Sequence, residues 1–148
     1  MSKQLERLAE FEHEKEQREA CFYQQAQLNV NQQKQKLTSL EQYRIDYIKG
    51  IQQTGKAGVT ATYYQQHLSF VGKLDKACEQ QMQVIARAQM AADQRKQMWL
   101  KQQQKVKAVT LLLDKKKLAV QKKEAKAEQA MMDEFATQRF FRAKRSPF

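Results

Sequence analysis

A seven-residue repeat of apolar side chains dominates the second half of the chain. Tyr64, Val71, Cys78, Ile85, Ala92, Trp99, Val106, Leu113, Val120 and Ala127 stand seven apart without a polar interruption. With 41% apolar residues overall, such a row arises by chance in about one of 10⁴ trials. A period of seven, not 3.6, predicts a helix that winds left-handedly around a partner. The row three positions further on is mixed: His67, Leu74, Gln81, Ala88, Arg95, Gln102, Val109, Lys116, Lys123 and Ala130. The row one position before is mostly apolar: Phe70, Ala77, Val84, Ala91, Met98, Leu112 and Ala119, with Lys105 among them. The second helix is therefore apolar over an arc wider than one partner helix needs.

The first half shows a weaker stripe. Leu5, Leu8, Phe22, Ala26, Val30, Leu37, Leu40, Tyr47 and Ile51 recur at helical spacing, and Glu12, Lys15 and Glu19 break the row. Punctuation is sparse, with four glycines and one proline in 148 residues. Gly50, Gly55 and Gly58 cluster, which places a single reversal there. The expected fold is all-α, two long helices forming an antiparallel coiled-coil hairpin in one domain. Helix one is expected over about 3–49, the Gly-rich turn over about 50–61, helix two over about 62–139, and a basic tail over 140–148. Thr62 with Gln65 fits a capping box at the start of helix two. At 1.5 Å per residue the helices would measure roughly 70 and 115 Å.

Unequal lengths have a consequence. Folded back at the turn, helix one ends opposite about residue 110, leaving Leu113, Val120 and Ala127 without an intramolecular partner. Such a stripe marks an interface, or it frays or self-associates. The same stretch is strongly basic. Residues 1–62 carry 9 basic and 8 acidic side chains, whereas residues 63–148 carry 18 and 8. Lys115, Lys116, Lys117, Lys122 and Lys123 concentrate this charge beside Leu113 and Val120. They form either a docking surface for an acidic partner or a solvated exterior.

Catalytic chemistry is not expected. The chain has no Gly-rich phosphate loop, no nucleophile elbow and no grouping of His, Cys and Asp at ligand spacing. Two antiparallel helices also offer no closed pocket. The chain is read as a binding protein and not an enzyme, with no cofactor. His13 and His67 do not complete a metal site with Cys21 and Cys78, which are expected to be two reduced thiols. The densely charged first twenty residues predict no signal peptide, and no apolar run approaches a membrane span. Nucleic acid is not an expected partner, because no aromatic residue stands between Lys101 and Lys126 to stack on bases. The alternative remains a basic coiled-coil adaptor for RNA or anionic membrane.

A second candidate surface lies near the turn. Tyr43 and Tyr47 are four apart on one helix, and Phe70, Leu74 and Ala77 share a face of the other. At matching heights these residues are either hairpin core or an aromatic patch for a protein partner.

The segment Tyr63-Tyr64-Gln65-Gln66-His67-Leu68-Ser69-Phe70, with Leu74-Asp75-Lys76-Ala77-Cys78-Glu79-Gln80 after it, resembles the start of the second helix in the FliJ family of flagellar export proteins. Met132-Asp133-Glu134-Phe135-Ala136 resembles that family's C-terminal motif, and Leu40, Tyr43 and Tyr47 its first-helix pattern. The resemblance covers nearly the whole chain. It implies a cytoplasmic component of the flagellar type III export apparatus, similar to the central stalk of rotary ATPases. It further implies insertion of the open hairpin end into the export ATPase ring, contact with the export gate at the inner face of the cell membrane, and cycling of export chaperones. Membrane association would then be peripheral, through partners. The family's gate-binding cluster falls here on Leu40, Tyr43, Tyr47, Phe70, Leu74 and Ala77. Lys36 and Gln81 depart from that pattern. The basic stretch with Leu113 and Val120 becomes the expected ring contact.

Overall fold

The computed structural model describes residues 2–145, and the side chains of 3–145. Two α-helices account for nearly all of them: α1, Ser2–Lys56, and α2, Ala61–Arg145. They form the expected helical hairpin. Residues Lys15–Gln102 make up one compact unit, and the described residues of Met1–Glu14 and Gln103–Phe148 another.

Three expected boundaries move. Helix α1 does not stop at Lys49 but runs through Gly50 and Gly55 to Lys56. A glycine inside a helix costs about 1 kcal/mol relative to alanine, which is too little to end a helix this long. Thr54 Oγ1 also satisfies the Gly50 carbonyl, at 2.9 Å. Of the three glycines only Gly58 lies in the link between the helices, and its φ of 82° favours a residue without a Cβ. The Ala57 and Gly58 amides donate to the Thr54 and Gly55 carbonyls and tighten the last turn of α1. At the start of α2 the cap is Thr60, not Thr62: the Tyr63 amide donates to Thr60 Oγ1 at 3.3 Å. Helix α2 continues past residue 139 to Arg145, so the basic tail is helical there, while Ser146, Pro147 and Phe148 lie outside the described residues.

In the Lys15–Gln102 unit the helices meet along one seam, and the seam is not where apolarity alone would put it. On α2 one run of buried or half-buried positions, Val71, Leu74, Cys78, Gln81, Ile85, Ala88, Ala92, Arg95, Trp99 and Gln102, alternates by three and four. The main row and its mixed companion therefore both face α1. The apolar row before them faces outward for much of its length, with Phe70, Ala91 and Met98 exposed. A two-stranded seam is only two positions wide in each heptad, so the third row stays at its margin, where Ala77 and Val84 are half-buried. On α1 the facing positions include Glu19, Tyr23, Ala26, Val30, Gln33, Leu37, Leu40, Arg44, Tyr47 and Ile51. Phe22, placed on the stripe by sequence, is 43% exposed. The tightest packing is Val30 against Ala88 and Ala92, flanked by Ala26.

Polar seam residues are mostly paired. Gln81 Nε2 donates to the backbone carbonyl and to Oε1 of Gln33, at 2.9 and 2.8 Å. Arg95 lies over the Phe22 ring, 4.8 Å from its centre. Trp99 stacks on Tyr23 at 5.7 Å. Trp99 Nε1 and Glu19 Oε2 are buried without a protein hydrogen-bond partner, and each such group costs about 1–3 kcal/mol.

In the other unit α1 covers little of α2. Leu113, expected to be unpaired, is half-buried and shares a groove with Glu6 and Val120. Beyond it every residue from Asp114 to Arg145 is exposed, including Val120 at 55% and Ala127.

Candidate functional site

Near the turn the candidate residues divide by depth. Leu74 is buried at 8% exposure and belongs to the seam. Leu40, Tyr47 and Ala77 are half-buried, whereas Tyr43 and Phe70 are exposed. Tyr47 holds the group together. Its ring lies 4.8 Å from Phe70, 5.4 Å from His67 and 6.4 Å from Tyr43. Its hydroxyl is hydrogen-bonded to His67 Nδ1, and His67 packs edge-on against Tyr63 at 4.1 Å. Burial, then the neighbouring phenols of Tyr63 and Tyr43, push the Tyr47 hydroxyl pKa upward. The result is an aromatic cluster anchored on one seam tyrosine, with its outer members facing solvent. Beside it Arg44 Nε donates to Asp75 Oδ1. That pair is open to solvent and contributes at most about 1 kcal/mol.

Leu40 faces a different depression. It lines a groove of about 660 Å³ with Gln32, Gln35, Lys36 and Gln81. The two residues that depart from the family pattern, Lys36 and Gln81, thus stand together beside Leu40. Gln81 is committed to Gln33 within the chain. Tyr43, Tyr47 and His67 line a separate groove with Asp46, Gly50 and Thr54.

The second candidate surface is the exposed length of α2. Lys115, Lys116, Lys117, Lys122, Lys123 and Val120 are all exposed and follow the half-buried Leu113 along α2. Lys116 and Lys117 line the groove that holds Glu6, Leu113 and Val120, of about 630 Å³. Further along, Met131, Met132, Phe135, Phe140 and Phe141 are 55–72% exposed. Arg139 lies over Phe135 and Lys144 over Phe140, at 5.8 and 5.4 Å. The exposed stretch is thus both basic and rich in large apolar groups.

Sequence reading missed two features here. His67, placed in the mixed companion row and set aside as a metal ligand, is the polar partner of Tyr47. The spacing of Tyr47 and His67 about Gly58 could have suggested the pairing once the turn was placed correctly. A groove on the opposite side of the tip, lined by Tyr64, Leu68 and Val71, was not expected, because the heptad rows placed Tyr64 and Val71 in the seam.

Among the described residues no helix is long and apolar enough to cross a membrane. Neither the curated proteins nor the solved structures contain a significant match to the chain. A family model described as Flagellar FliJ protein matches residues 1–145. That match spans both helices and the turn, and by it the chain belongs to the FliJ family of flagellar proteins, with a role in flagellar protein export.

Proposed function

We propose that this chain is a cytoplasmic, stalk-like subunit of the flagellar export apparatus that binds the export ATPase ring, touches the export gate and helps recycle export chaperones. The observation that carries the reading is the stretch of α2 from Asp114 to Arg145, exposed throughout and carrying Lys115–Lys117, Lys122 and Lys123. A helix of that length, left bare of its own hairpin partner, is suited to a protein that surrounds it. Long lysine side chains tolerate imperfect register, because charge attraction declines slowly with distance. Leu113 and Val120 add apolar contact at the base of that stretch. The gate is assigned to the exposed part of the aromatic cluster, Tyr43 and Phe70, with Leu40, Tyr47 and Ala77 beside them and Leu74 supporting them from the seam. Association with the membrane is peripheral, through the gate.

The test is stimulation of the export ATPase by the full chain. Reversing Lys115, Lys117 and Lys122 to Glu should lower ring affinity at least tenfold and abolish most of the stimulation, with helicity retained. Wild-type affinity should weaken with added salt, since exposed charges are screened beyond roughly 8–10 Å. Unchanged stimulation by the triple variant would move the ATPase contact elsewhere. If the wild-type chain instead bound RNA or anionic vesicles and the triple variant lost only that, the basic adaptor reading would replace this one.

A further inference from the structure

The tip of the hairpin has a second face. On the side away from Tyr43 and Asp46, the end of α1 and the start of α2 enclose a groove of about 720 Å³. Ile48, Ile51, Tyr64, Leu68 and Val71 form its apolar walls, and Gly55 lies among them. Tyr64 and Leu68 are 49% and 50% exposed, a large apolar area to leave open beside a turn.

Three observations identify the occupant. First, the charged residues lining the groove are Lys49 and Lys56, and no carboxylate lines it. The groove on the other face, lined by Tyr43 and Tyr47, contains Asp46 instead. The two faces of the tip therefore carry lining charges of opposite sign, and this one favours an acidic partner. Second, Gly55 is helical, and a Cβ built there would meet nothing within 4 Å. Packing within the chain gives no reason for a glycine at a cost of about 1 kcal/mol. A bare backbone in a groove wall lets another chain approach closely. Third, the α1 wall runs from Ile48 to Lys56, about 12 Å of helix at 1.5 Å per residue. That length matches two turns of a partner helix lying alongside.

We infer that this groove is a docking site for an acidic amphipathic helix of another protein. Its apolar face would seat against Ile51, Leu68 and Val71, and its carboxylates would pair with Lys49 and Lys56. This is the helix-in-groove mode of recognition, with anchors at a spacing of three to four residues.

The experiment places a photo-cross-linking phenylalanine at Leu68 of the full chain in flagellated cells, and identifies the cross-linked peptide by mass spectrometry. A parallel chain carries the probe at Tyr43 and reports the gate-side contact, so that failure of one surface is distinguishable from failure of the other. The expected product at Leu68 joins the chain to a segment of a different protein with apolar residues at helical spacing and Asp or Glu between them. Lys49→Glu with Lys56→Glu should cut the yield at least fivefold at unchanged helicity. The milder pair Lys49→Gln and Lys56→Gln should cut it about threefold. The Tyr43 cross-link should persist in both. The inference is overturned by no product at Leu68, by a product with a second copy of this chain, by a partner segment without acidic residues, or by yields indifferent to the lysines.

Discussion

At the residue scale, position on the seam separates the members of a single cluster that carry stability from those open to solvent. Leu74 is almost fully enclosed, so Leu74→Ala should remove about 2–5 kcal/mol through lost contacts and a residual void. Tyr43 keeps more than half its surface in water, 53%, and Tyr43→Ala should change stability by no more than about 0.5 kcal/mol. Thermal melts of the two variants check this directly, and similar losses would show that Tyr43 is part of the core. Tyr47 adds a pH dependence. Its folded-state pKa is raised, by burial first and then by Tyr63 and Tyr43. The neutral phenol is thus the form the fold prefers. The corresponding stability is intact below the ordinary tyrosine value of about 10. It is lost as pH rises through that value toward the higher folded one. Denaturant midpoints taken from neutral pH into this alkaline window should fall for the wild type and fall less for Tyr47→Phe.

At the element scale, the glycines differ in what they do. Gly50 and Gly55 are helical with open space where a Cβ would go, whereas Gly58 holds φ at +82°. Gly50→Ala and Gly55→Ala should each stabilise the hairpin by about 0.4–1 kcal/mol. Gly58→Ala should destabilise it by about 1 kcal/mol, because an L side chain is strained there. Urea melts of the three variants distinguish these signs, and destabilisation by Gly50→Ala or Gly55→Ala would return the turn to the wider Gly-rich segment. The same scale explains the seam itself. Gln33, Gln81, Arg95 and Gln102 occupy positions that an apolar zipper would fill with leucine. Buried polar residues at such positions specify register at a cost in stability. Here the Gln33–Gln81 pair and the Arg95–Phe22 stack bind one helix to the other at defined heights.

At the scale of the whole molecule, the hairpin is an intrachain structure, and it makes a covalent prediction. With Cys21 and Cys78 replaced by Ser, Gln33→Cys and Gln81→Cys should join within one chain on oxidation. They should give a monomer of altered mobility at any protein concentration. Predominantly dimeric product would show that α1 pairs with the α2 of another copy. The bare part of α2 is the surface on which the proposed ring contact rests. A hairpin whose two helices matched in length would cover the seam of α2 along its whole length. Here α2 has 85 residues against 55 in α1, and the difference is surface.

Much of this was legible in the amino-acid order. An unbroken heptad row, one cluster of glycines and almost no proline determine two long helices and a single reversal, because few other arrangements satisfy backbone hydrogen bonds with so few turn residues. The excess of α2 over α1 follows from where the glycines lie, and so does the bare basic stretch. Position along the chain could not say which of three glycines turns the backbone. That depends on which amide and carbonyl pairs close, and Gly58 is the one placed at positive φ. Nor could it say which flank of the main row faces inward. Met98 looks better suited to a core than Arg95 or Gln102, yet Met98 faces water. The choice rests on the rotation of α2 about its axis, set by pairs such as Gln33–Gln81 and Tyr23–Trp99 that lie far apart in sequence. The aromatic cluster around Tyr47 and the groove beside Leu68 arise in the same way. Each is a relation between the end of one helix and the start of another, and it exists only once the register between them is established.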